Sequence, residues 1–249
     1  MFQRYNIFVL LFYTIFLISG CASNTSDDNL KLINVNILPD VARAAEQRGE
    51  YAVAASYYKK IFDKGTKDLQ IIVSYSRNLR YSGAASYAVR ILENVESEYK
   101  NSPIFLLEMG KAQLTNGLGE VSILTFLRAK KLDPDNWAVY SSLGIGYDLT
   151  KEYGKAQVSY GQALALSLGN SIVLNNMAIS LALTGKLDEA IKILEDAPKI
   201  ADGKAHIRQN LALFYGIKGD LVKSEYYAKL DLDNEMVKRN LSYFKRFQK

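Results

Sequence analysis

Small and large apolar residues recur in this chain with a step of 34, without insertion, from residue 35 to residue 238. Let each unit be numbered from one to thirty-four. Position eight is always small: Ala42, Ser76, Gly110, Gly144, Ala178 and Ala212. So is position twenty: Ala54, Ala88, Ser122, Ala156, Ala190 and Ser224. Large partners stand at position seven (Val41, Tyr75, Met109, Leu143, Met177, Leu211) and at position twenty-four (Tyr58, Leu92, Phe126, Tyr160, Leu194, with Ala228 last). Small against large at fixed spacing predicts two helices per unit whose backbones approach closely, where a bigger side chain would overpack.

Between the two helices a glycine recurs at position fifteen: Gly49, Gly83, Gly117, Gly185 and Gly219, with Lys151 in the remaining unit. Glycine at this point predicts a left-handed residue in a tight turn, a conformation that costs a lysine about 1 kcal/mol. Pro39 and Pro103 fall near the start of a first helix, where a missing N–H is tolerated. Pro134 and Pro198 fall near the end of a second helix, where the chain must leave it. No proline interrupts a predicted helix interior.

This period and hairpin layout resemble tetratricopeptide repeats. The resemblance implies an all-α fold, a right-handed superhelix (α-solenoid) of about six helix–turn–helix repeats. The units are 35–68, 69–102, 103–136, 137–170, 171–204 and 205–238, with a C-terminal capping helix over 239–249. Leu241, Phe244 and Phe247 share one side of that helix at helical spacing, with basic residues between them. A stacked array needs a cap with a wet outer face; the same amphipathic basic pattern also suits a membrane surface.

In arrays of this kind the first helix of each unit lines the concave face through positions two, five, nine, twelve and thirteen. At positions nine and twelve the first three units give Arg43, Arg77, Arg80 and Lys111. At positions nine and thirteen the last three give Ile145, Leu149, Ile179, Leu183, Leu213 and Ile217. The expectation is a basic N-terminal half and an apolar C-terminal half. The apolar ridge would bind an amphipathic helix or extended segment of a protein partner, or else fill the superhelix interior or contact the terminal helix. The Lys and Asn set with which some chaperone-binding arrays clamp a C-terminal carboxylate is absent.

The N-terminus carries a different pattern. Arg4, an apolar run from Ile7 to Ile18, and Ser19-Gly20 before Cys21 have the three-part layout of a secretory signal. The run is shorter than the ~20 apolar residues of a spanning helix. Leu17-Ile18-Ser19-Gly20-Cys21 resembles the lipobox of bacterial lipoproteins, which implies a cleaved signal at 1–20 and an acylated Cys21. Residues 21–34 are polar and read as a flexible tether. Ala22, where an inner-membrane retention signal would place Asp, implies the periplasmic face of the outer membrane. Cys21 is also the one cysteine of the chain, so no intrachain disulfide is available.

Composition narrows the chemistry. The formal charge of +5 and pI near 9.0 come without a long Lys/Arg block or an aromatic stacking motif, so nucleic-acid binding is not expected. The single histidine, His206, sits at position two of the sixth unit and has no Ser/Asp or Cys set around it. Metal-ligand spacing is absent, and the turn glycines are too far apart to cradle phosphate. The expectation is a protein that is not an enzyme, with no cofactor, no metal and no small-molecule substrate.

Finally, Asp135-Asn136-Trp137, Leu143 to Asp148, Lys155 to Leu164, Asn175 to Gly185, Arg208 to Leu213 and Asn240-Leu241-Ser242-Tyr243 resemble TadD-like lipoproteins of tight-adherence (Flp) pilus systems. The likeness covers residues 103–247 well and the first two units loosely. It implies an outer-membrane pilotin or assembly factor that holds the pilus secretin or another channel component. The alternative is a lipoprotein scaffold for outer-membrane protein insertion or for cell-wall enzymes.

Overall fold

The computed structural model describes residues 37–197 and 205–247. The signal segment 1–20, Cys21 with the tether 21–34, and Pro198 lie outside the described residues. Among those described there are fourteen helices and no strand. They are α1 (Leu38–Gln47), α2 (Tyr51–Phe62), α3 (Leu69–Tyr81), α4 (Ala85–Glu93), the single turn α5 (Glu96–Tyr99), α6 (Pro103–Thr115) and α7 (Gly119–Leu132). There follow α8 (Trp137–Leu149), α9 (Tyr153–Leu166), α10 (Ser171–Leu183), α11 (Leu187–Glu195), α12 (Ala205–Lys218), α13 (Leu221–Lys229) and α14 (Asn234–Phe247). Each first helix packs on the second helix of its own unit. The first helices α3, α6, α8, α10 and α12 also pack in succession, and α14 closes the row against α12 and α13. That is a solenoid.

The turns explain why the period is so strict. Gly49, Gly83, Gly117, Gly185 and Gly219 all have positive φ, and Lys151 joins them at φ 63°. In every unit the residue after this one donates its N–H back across the turn: Glu50 to Ala45, Ala84 to Leu79, Leu118 to Gln113, Glu152 to Tyr147, Lys186 to Leu181 and Asp220 to Tyr215, all at 2.8–3.0 Å. This bond satisfies a carbonyl that the helix end would leave orphaned, and it requires the left-handed residue before it. Lys151 therefore adopts the glycine conformation because its unit needs the same closure.

Helix starts show a second period. Asp68, Ser102, Asn136 and Asn170 stand 34 apart, and each accepts from a backbone N–H of the first helix that follows, at 2.8 Å for Gln70, 3.4 Å for Phe105 and 3.1 Å for both Ala138 and Ile172. Such caps are worth about 1 kcal/mol each.

The small positions do what their spacing requires. Ala42, Ala54, Ala88, Ser122, Ala156, Ala178 and Ala190 are wholly buried. A Cβ added to Gly110 would lie 2.3 Å from the Phe126 ring, and one on Gly144 would lie 2.4 Å from Tyr160. Position eight is thus the floor on which the position-twenty-four side chain of the same unit rests.

The last helix differs from the expectation in one respect. It begins at Asn234, ahead of residue 239, because the Asp233 carboxylate caps it by accepting from the Met236 N–H at 2.8 Å. Val237 is buried, Leu241 is half-buried, and the Phe244 ring lies over Gly216, where a Cβ would be 2.3 Å away. The helix covers the apolar side of the sixth unit.

Candidate protein-binding face

The first helices present one continuous face, and its C-terminal half carries the apolar residues expected there. They fall into two groups. Ile145, Leu149 and Ile217 are exposed, at 38%, 51% and 39% of their surface. Ile179, Leu183 and Leu213 are half-buried, and Ile179 and Leu213 pack against the core formed by Ala178, Leu181, Leu211 and Phe214. The reason is local: α10 and α12 pack on each other, so part of the position-nine surface of the last two units goes into that joint. Ile145, Leu149 and Ile217 remain as an available ridge. Tyr81, Ile104 and Ile172 occupy lining positions too and are exposed. They follow from the same position rule.

The basic half is not a row of four free cations. The Arg43 guanidinium pairs with Asp40 at 3.0 Å on the surface. Arg77 donates from Nε to Glu46 at 2.8 Å. Arg80 donates to Glu108 at 3.2 Å, and Ser76 donates to the same carboxylate at 3.2 Å. Only Lys111 forms no ion pair among the described residues. Burial pushes its pKa down, the Arg80 and Arg77 charges push it further down, and Glu108 opposes them. The predicted basic patch is therefore largely neutralised by Asp40, Glu46 and Glu108.

Several polar contacts tie the helices together. Asp148 accepts from Tyr160 of its own unit at 2.8 Å and from Ser180 of the next at 2.6 Å. Burial raises the Asp148 pKa, and the hydrogen bonds from Ser180 and Tyr160 pull against that rise. Tyr58 and Glu46 repeat the same contact, more loosely at 3.4 Å, in the first unit. Asn210 donates to Asn175 at 2.7 Å between α12 and α10. Arg208 pairs with Asp231, both side chains being largely buried, and so locks α12 to the segment after α13. Asn210 thus joins the fifth and sixth units, while the Arg208–Asp231 pair lies within the sixth.

Two further surfaces bear on function. Position twenty-two of the second helices is apolar and exposed at Leu124, Val158 and Tyr226, a face on α7, α9 and α13 that competes with the ridge as a binding surface. His206 is exposed on α12. Among the described residues no group of three or more His, Cys, Asp or Glu side chains is placed to hold a metal ion. Nor is any described helix long and apolar enough to cross a membrane.

By fold the chain is a tetratricopeptide-repeat solenoid. It superposes on a tetratricopeptide-repeat protein from Parabacteroides merdae with a TM-score of 0.72 at 12% identity, covering 88% of this chain and 87% of that one. A thermophilic protein of the same kind from Thermus thermophilus gives 0.65 at 18% identity, covering 73% and 98%. A chain of the Cut9–Hcn1 hetero-tetramer of the APC/C gives 0.64 at 15% identity, covering 89% and 45%. In sequence, Tetratricopeptide repeat protein 8 of Caenorhabditis elegans is 26% identical over 159 residues, 63% of this chain and 31% of that relative's length. No family model matches the chain.

Proposed function

We propose that the protein is a binding scaffold, anchored to the periplasmic face of the outer membrane through acyl chains on Cys21. It holds the secretin, or another channel component, of a tight-adherence (Flp) pilus system during assembly. The observation that carries the binding half is the exposure of Ile145 and Leu149 on α8 and of Ile217 on α12, first helices of one repeat solenoid. Apolar side chains in a row on a rigid extended face suit capture of an amphipathic segment, whose own apolar side they cover. Repeat solenoids build such surfaces by stacking, and one of the similar structures is a hetero-tetramer. The likeness of residues 103–247 to TadD-like lipoproteins supports the pilus assignment, and the Leu17 to Cys21 run supports the anchor. The mechanism is binding without bond chemistry: the lipid localises, the tether searches, and the ridge captures.

Crosslinked pull-down from envelope membranes tests this. Ile145→Asp with Leu149→Asp should abolish recovery of the secretin while leaving the fold intact, because both side chains already face water. Ile179→Asp and Leu213→Asp are unsuitable probes, since they place a charge against the core. Recovery of insertion-machinery subunits or cell-wall enzymes without any secretin would overturn the pilus assignment.

A further inference from the structure

We propose that the outward side of α14 is a docking surface for an anionic lipid bilayer. The sequence alone sets cap and membrane helix against each other; the structure gives them separate sides of one helix. Val237, Leu241 and Phe244 face the sixth unit and make the cap. At 3.6 residues per turn, Arg239 and Arg246 lie opposite that side while Lys238 and Lys245 flank it, and all four are exposed. No carboxylate stands in ion-pair contact with any of the four among the described residues. Glu235 is the one acidic residue of the helix. Glu225 on α13 pairs with Lys229, and Glu235 stands one turn before Lys238 and Arg239 on the same side, so it offsets one of the four positive charges.

The chemistry of the stripe fits lipid headgroups better than a protein face. Four long cations with no ion pair among the described residues lie on the exposed part of one helix. Met236 and Tyr243 are exposed at its border. Because the apolar side of α14 is spent on the cap, docking here is electrostatic rather than by insertion of an apolar face. Such cations gain from the diffuse negative potential of an anionic surface and lose that gain beyond a Debye length. The surface is independent of acylation at Cys21 and lies two units from Ile145 and Leu149, while Ile217 stands on α12, against which α14 packs.

The full chain carrying Cys21→Ser and Ser242→Cys has a single thiol, on the exposed side of α14. An environment-sensitive fluorophore there is mixed with vesicles of brominated phosphatidylcholine, with or without phosphatidylglycerol. The expected result is quenching on the anionic vesicles, at least about tenfold weaker on the neutral ones and reduced by salt. It should disappear when Lys238→Glu, Arg239→Glu, Lys245→Glu and Arg246→Glu are combined. If that variant loses helix by circular dichroism, the same four changes to Gln are read instead. Equal quenching on both vesicles, quenching that survives the substitutions, or none on either would overturn the proposal, the last leaving the stripe to an acidic protein.

Discussion

Tyr160 donates its phenolic hydrogen to Asp148 over 2.8 Å, across the hairpin of the fourth unit, and Ser180 of the fifth unit donates to the same carboxylate at 2.6 Å. One half-buried carboxylate therefore joins three helices. Its pKa is raised by burial, against the pull of those donors. A folded-state value above the unfolded one means the folded chain holds this proton more tightly, so the contribution of Asp148 to stability grows as pH falls through its folded pKa. It is complete below the ordinary aspartate range and is lost as pH rises. Urea denaturation of wild type and Asp148→Asn from pH 7 to pH 4 should show the wild type gaining on the variant as acid is added. A constant or shrinking difference would contradict this.

Lys151 supplies a second prediction. It holds φ 63° and closes the same turn that glycine closes in the other five units. Lys151→Gly should stabilise the array by about 1 kcal/mol, read as a higher denaturation midpoint with an unchanged slope. A loss of stability would mean that the lysine side chain contributes contacts outweighing its backbone strain.

Two glycines should respond oppositely to alanine. Gly144→Ala puts a methyl 2.4 Å from the Tyr160 ring and should cost about 1–3 kcal/mol. Gly161 lies on the exposed side of α9 with nothing within 4 Å of an added Cβ. Gly161→Ala should raise stability by about 0.5–1 kcal/mol. Thermal denaturation of the two variants checks both signs at once.

The Arg80–Glu108 pair is nearly buried, with side chains 11% and 6% exposed. Arg80→Met leaves the Glu108 charge in that site without its partner and should cost about 3–5 kcal/mol. Combining it with Glu108→Met should recover much of the loss, because two apolar side chains can fill the space. Arg43→Met, at an exposed pair, should change stability too little to measure. A cost for Arg43→Met equal to that for Arg80→Met would show that burial is not what makes the difference.

Much of this architecture is legible in the sequence because it is fixed within one unit. The turn residue, the position-eight floor and the position-twenty-four side chain that rests on it all lie inside 34 consecutive residues, so their spacing is constant. The caps at Asp68, Ser102, Asn136 and Asn170 carry the same period and were equally readable. What eluded the sequence depends on how one unit is placed on the next. Arg77 reaches Glu46 and Arg80 reaches Glu108 across a joint, from positions that do not match between units. The division of the apolar residues into an exposed ridge and a half-buried group likewise follows from the packing of α10 on α12. The early start of α14 was written in Asp233, but the unbroken repeat step masked it.

On the proposed function, the ridge on the first helices, and not the outer side of the second helices, is where the pilus secretin would be held. Photocrosslinking from single positions in envelope membranes tests it most directly, with benzoylphenylalanine placed at Leu149 on the ridge or at Val158 on α9, both well exposed. The account predicts a covalent adduct with a secretin subunit from position 149 and none from position 158. An adduct from 158 alone, or no secretin adduct from either position, would contradict it.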